Sequence, residues 1–95
     1  MAWTIEWEDA AIEDAEKLDH TTRQRIVRYL EERVATDENP RRIGRALVSD
    51  QTDLWRYRVG DYRIVCRIED KLVTVLILAV GHRSRVYKRW RLRPR

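Results

Sequence analysis

The chain holds a single cysteine, Cys66, so an internal disulfide is excluded, and no second thiol stands near it to build a zinc site. Three glycines and two prolines in 95 residues leave no linker, and neither an internal repeat nor a low-complexity segment is present. At that length there is room for one core, burying roughly two-thirds of the surface that the unfolded chain exposes. No apolar run reaches the length of a membrane span: the longest, Leu72 to Val80, is too short for one and too central for a secretory signal. The N-terminus lacks a basic leader, so the expectation is a soluble cytoplasmic protein with no membrane partner. Acids are missing altogether from Gly81 onward.

What is abundant is charge, at 38% of residues, set among four Trp, four Tyr and dense Val, Ile and Leu stretches that favour a packed fold over disorder. The net charge of +4 is unevenly spread. Residues 1–19 carry seven acids against Lys17 alone, whereas Arg83, Arg85, Lys88, Arg89, Arg91, Arg93 and Arg95 crowd the C-terminal end. Such a dipole steers a protein toward nucleic acid or acidic partners and makes the encounter sensitive to salt.

Trp3, Ile5 and Trp7 alternate with Thr4, Glu6 and Glu8, the period of a strand with one buried face. Asp9 is a suitable N-cap for a helix reaching Leu18, with Ala11, Ile12, Ala15 and Leu18 on one stripe. A second helix is expected from Thr21, which has capping-box spacing to Gln24, through Ile26, Val27, Leu30 and Val34, ending before Asn39-Pro40. Its arginines and glutamates lie off the apolar stripe and read as a solvated mixed-charge face. Residues 41–53 read as a loop with a short strand or helical turn.

Leu54 to Val59 and Tyr62 to Ile68 form a hairpin about Gly60-Asp61, a two-residue turn of the Gly-X kind. Alternation puts Trp55, Tyr57, Val59, Tyr62, Ile64, Cys66 and Ile68 on a core face and Arg56, Arg58, Arg63 and Arg67 on the other. Arg58 opposite Arg63 is a repulsive pair, and a polyanion would relieve it. Arg67 can also pair locally with Glu69. Asp70-Lys71 can turn the chain again, pairing Glu69 with Leu72 and making Leu72 to Val80 a central strand buried on both faces. From Ser84 the bases alternate with Val86, Tyr87, Trp90 and Leu92 in an irregular segment or short helix closed by Pro94. This basic segment, residues 84–95, is either an RNA-binding tail or a strap docked on the sheet. The expected fold is a small single α+β domain over residues 1–95: an N-terminal strand and a two-helix hairpin packed on one face of an antiparallel sheet of about four strands.

The run Leu54-Trp55-Arg56-Tyr57-Arg58-Val59-Gly60-Asp61-Tyr62-Arg63-Ile64-Val65, followed by Val80-Gly81-His82-Arg83-Ser84-Arg85-Val86-Tyr87, resembles the RelE toxins of bacterial and archaeal toxin–antitoxin pairs. The likeness is concentrated from Leu54 to Lys88. It implies a RelE-like fold and a ribosome-dependent endoribonuclease that cuts messenger RNA in the decoding site, restrained by a small RelB-like antitoxin, without cofactor or metal. It also implies roles: Arg63 binds phosphate, Arg83 stabilises the transition state and protonates the leaving group, and Tyr87 stacks on or orients the nucleotide. Arg56 and Arg58 stand where family members carry lysines, one of them proposed as general base.

Cutting RNA by 2′-hydroxyl attack requires a base, cations for the phosphorane and an acid for the 5′-oxygen. A guanidinium stays protonated, so Arg56 and Arg58, like Arg85 and Lys88, are assigned to phosphate or ribosomal RNA. His82 is the nearby side chain whose ordinary pKa suits a base, and its alternative is a strand-end residue bonded to backbone or phosphate. Two other functions fit the same resemblance: a ParE-like toxin that binds DNA gyrase, and a degenerate relative that only binds nucleic acid.

Overall fold

The structure, a computed structural model, describes residues 2–47 and 54–93. The expected polar run Ser49 to Asp53 and the closing Pro94 lie outside them. Strand β1 (Thr4–Trp7) leads into helices α1 (Asp9–Glu16) and α2 (His20–Tyr29), and a π-helical turn at Leu30–Val34 completes the second helix. A 3-10 turn at Pro40–Arg42 precedes β2 (Arg45–Ala46), β3 (Leu54–Val59), β4 (Tyr62–Glu69), β5 (Thr74–His82) and α3 (Val86–Arg91). The sheet has five strands in the order β1-β5-β4-β3-β2. All pairings are antiparallel except that of β1 with β5, so the sheet is mixed rather than wholly antiparallel. The β3–β4 hairpin leaves the far edge of β5 for the N-terminal strand, which reaches it without a tight turn and lies parallel.

The hairpin has the expected register, Val59 opposite Tyr62 through Trp55 opposite Cys66. Gly60 takes φ +58°, the conformation that such a turn requires at its first position. Beneath the helices, Tyr57, Ile64, Cys66, Val75, Ile77 and Val80 meet Ala11, Ile26, Leu30 and Val34 in the main core. Burial pushes the Cys66 thiol well above its usual pKa, leaving it a neutral, inert core residue.

Three expectations are corrected. The first helix starts at Asp9 with Glu8 before it, and no side-chain cap forms there. Asp19, not Thr21, caps the second: its carboxylate accepts the Thr22 amide at 3.1 Å and the Thr22 hydroxyl. Glu69 pairs with Thr74 rather than Leu72, because the chain needs a 3-10 turn at Asp70–Leu72 and a left-handed Val73 (φ 47°) to reverse. The two-helix hairpin packs on one face of the sheet, as expected. Helix α3 packs on the opposite side, where Val86 and Trp90 cover Leu54, Val65, Leu78 and Ala79 in a second core.

That second core depends on a bulge in β5. Val65 opposes Ala79 but Cys66 opposes Ile77, so Leu78 is an extra residue and falls on the same face as Ala79. Strand β1 ends opposite Ile77, and beyond it the edge of β5 is served by side chains. Asp14 of α1 accepts the Val80 amide at 3.0 Å, while Arg93 donates to the Leu78 carbonyl at 2.7 Å and to Asp14. Asp14 is only 5% exposed, so this pair ties α1, β5 and the end of α3 together from within.

Candidate functional site

The hairpin and the end of β5 assemble the arginine face. Arg58 and Arg63 are cross-strand neighbours, and Arg63 is in turn opposite Gly81. Gly81 has no side chain, which lets Val86 sit close enough that an added Cβ would lie 3.3 Å from the Val86 Cβ. The first turn of α3 is thereby held against the sheet, and Tyr87 comes over Arg56, whose Nη1 donates to the phenol oxygen at 3.3 Å.

Arg63 is 4% exposed, and its Nη1 donates to the carbonyls of Gly60 and Tyr62, both at 2.9 Å. The guanidinium therefore braces the hairpin turn. Its Nε and Nη2 donors make no other hydrogen bond among the described residues. Arg83 lies beyond β5, where its amide donates to the Asp61 carbonyl at 2.8 Å and its Nε approaches the Asp61 carboxylate at 3.8 Å. Both partners of that ion pair are well exposed, which makes it weak and easily exchanged for phosphate.

His82 is not part of this group. It pairs with Tyr62, a core-face residue, and its ring meets the Tyr62 ring edge-on at 5.6 Å. The Ser84 amide donates to His82 Nδ1 at 3.2 Å and the Ser84 hydroxyl lies 2.8 Å from the same atom. A backbone N–H can only donate, so Nδ1 is the accepting nitrogen and the neutral ring carries its proton on Nε2. His82 and Arg85 line a separate recess with Lys17, Asp19 and Arg89. Lys88 is exposed on α3. Of the expected residues, Arg56, Arg58, Arg63 and Tyr87 are gathered on one face, Arg83 stands at the hairpin turn, and His82 and Arg85 line the other recess.

Three residues at this site were not singled out from sequence. Arg45 and Tyr29 line a recess of about 150 Å³ with Arg56 and Arg58, and Arg25 lies against the hairpin turn beside Gly60. Arg45 belongs to a two-residue strand with no periodicity to betray it, and the α2 residues face the site only because the sheet edge ends beneath them. No His/Cys/Asp/Glu cluster suited to a metal ion occurs among the described residues. No helix there is long and apolar enough to cross a membrane.

Residues 5–87 match the family model described as the ParE toxin of type II toxin–antitoxin systems, parDE. The chain is similar to Toxin RelG of Mycobacterium tuberculosis, 30% identical over 89 residues that cover 94% of this chain and 100% of the relative. It is also similar to Toxin RelE of the same organism, 40% identical over 57 residues, 60% of this chain and 59% of that one. A solved structure of the toxin–antitoxin complex RelBE2 from M. tuberculosis superposes with a TM-score of 0.78 at 28% identity, covering 88% of this chain and 94% of the solved one. Hairpin, arginine face, covering helix and these likenesses agree, and the chain belongs to the RelE/ParE family of type II toxin–antitoxin toxins.

Proposed function

We propose that this toxin is a ribosome-dependent endoribonuclease that cuts messenger RNA by attack of a 2′-hydroxyl on the adjacent phosphate. The observation that carries the reading is that Arg56, Arg58 and Arg63 share one sheet face, with Tyr87 of α3 bonded to Arg56 and Arg83 at the neighbouring turn. Arginine forks suit the two non-bridging oxygens of a phosphate, and several of them can neutralise the charge that grows on the phosphorane. Tyr87, oriented by Arg56, offers a ring on which an unstacked base can rest. Arg83, free to leave Asp61, can follow the departing 5′-oxygen. His82 lies on the core face and no base is assigned on the chain, so its contribution is electrostatic stabilisation and orientation: as the 2′-oxygen bonds to phosphorus its proton passes to water, and as the bond to the 5′-oxygen breaks that oxygen takes a proton from water.

A RelB-like antitoxin is the expected partner, since the similar solved structure is itself a toxin–antitoxin complex. Primer extension on messages from cells expressing the toxin tests the reading. Cuts within translated codons, lost in Arg83→Ala, are expected. The ParE description of the matching family model favours a second reading, gyrase binding without nuclease activity; intact messages together with gyrase-dependent DNA breaks would establish it and overturn the first.

A further inference from the structure

Helix α2 holds Arg23, Arg25 and Arg28, and the π-helical turn that completes it adds Glu31 and Glu32. Arg25 and Arg28 line a recess of about 320 Å³ with Tyr29, Arg33, Arg58 and one acid, Glu32, and Arg25 lies so close to the turn that a Cβ on Gly60 would be 2.9 Å from its Nη1. Tyr29 and Arg58 also line the smaller recess that contains Arg45 and Arg56, so the two are continuous. Arg56 in turn reaches Tyr87. Basic side chains thus run from the candidate site, round the edge of β3 that β2 leaves uncovered, to the exposed side of α2.

Arg41, Arg42, Arg83, Arg89 and Arg93 each have a carboxylate within 4.0 Å. Among the described residues Arg25, Arg28, Arg45, Arg56 and Arg58 pair with none, and the like charges of Arg25 and Arg28 at helical spacing weaken α2. Six arginines against the single carboxylate of Glu32 leave this surface with a net excess of guanidinium groups, suited to an anion larger than a single carboxylate. Val59 is the only aliphatic side chain among the lining residues, so the surface has few anchors for a protein partner, which would need apolar ones. Phosphates spaced along a strand fit it better, with the half-buried Tyr29 ring between them as a place for a base.

We infer that Arg25 and Arg28 of α2, with Arg45 and Arg58, form a phosphate track that holds the RNA strand running on from the nucleotide in the candidate site. The inference rests on the nuclease reading only for what occupies that site. Its test is binding, not cleavage. A fluorescent, 2′-O-methylated single-stranded RNA of about 12 nucleotides is titrated with the toxin across a salt series. Arg25→Gln/Arg28→Gln is expected to lower the log–log salt slope by about 1.4, the contribution of two phosphates on a single strand. Arg42→Gln/Lys71→Gln, which removes the same charge elsewhere, is expected to leave the slope unchanged, and the thermal midpoint of each variant verifies folding.

An unchanged slope in the α2 variant, or no binding by the parent toxin, overturns the track. Weaker binding to the antitoxin with the RNA slope intact would assign the surface to that protein. Weaker binding to vacant ribosomes alone would assign it to ribosomal RNA. Either outcome rejects the strand proposed here. If the slope falls as expected while translated messages remain uncut in cells, the track stands and the nuclease reading fails.

Discussion

Arg63 and Arg83 divide the work of one charge between rigidity and freedom. Arg63 is fixed by two turn carbonyls and presents its remaining donors in one geometry, whereas Arg83 is held only through its backbone and a weak contact to Asp61. A lysine at position 63 could not brace two carbonyls and still offer a planar fork, so Arg63→Lys is not conservative here. His82 has the opposite character, engaged at Nδ1 and placed among core-face residues. His82→Gln is therefore expected to keep cleavage of translated messages within about threefold of the parent, a change far smaller than the loss of a general base would cause. A drop of several hundredfold in a quantitative primer-extension assay would restore the histidine as base.

Among the elements, α2 is the one whose start can be read out by acid. The charged Asp19 carboxylate accepts from Thr22, and these hydrogen bonds hold its pKa below the usual 3.8. A carboxyl with a depressed pKa stabilises the fold fully above its unfolded value and loses that contribution as pH falls through its folded value. Asp19→Ala should therefore lower the thermal midpoint at neutral pH, and the gap to the parent should narrow below pH 3.8. A gap independent of pH would mean that the cap's charge is immaterial. The sequence points to Thr21 instead because Thr21 and Gln24 have the spacing of a capping box, and spacing alone cannot tell which oxygen reaches the amide. The hairpin is legible residue by residue, since Gly60-Asp61 fixes the turn and alternation fixes both faces. The next turn is not, because a left-handed position held by Val73 carries no glycine signal. For the site, the arginine face follows from that alternation, whereas the approach of α2 and Arg45 is a tertiary fact with no local trace.

Across the whole molecule, the two faces of the sheet are coupled by one buried carboxylate. Asp14 reaches from α1 to the Val80 amide and to Arg93, which closes the far end of α3. Asp14→Ala would strand both groups in a site with little access to water, and is expected to cost about 3 kcal/mol in urea unfolding. A loss below about 0.5 kcal/mol, the level of a typical surface substitution, would show that the pair does not hold the two sides together. Most of the arginines that meet acids do so away from the basic track, so neutralisation and ligand-ready charge occupy different regions of a molecule with extents of 32 × 32 × 21 Å.

The extra residue in β5 acts on the strand as a change of parity. Counting by twos from Leu76 through Leu78 would put Val80 and His82 beside the arginines, and Gly81 among the core side chains. With Leu78 interpolated the two sets exchange: the histidine passes to the far side, and the vacancy above Arg63 falls to a glycine, into which Val86 can lean. Deleting Leu78 would leave Ala79 opposite Val65 and Ile77 opposite Cys66 in a plain ladder, so the sidedness of the strand's end would be kept; forcing Leu78 into the alternation instead of the bulge is what would reverse it. In this strand, taking up one residue as a bulge rather than in the alternation decides which side chains share the arginine face.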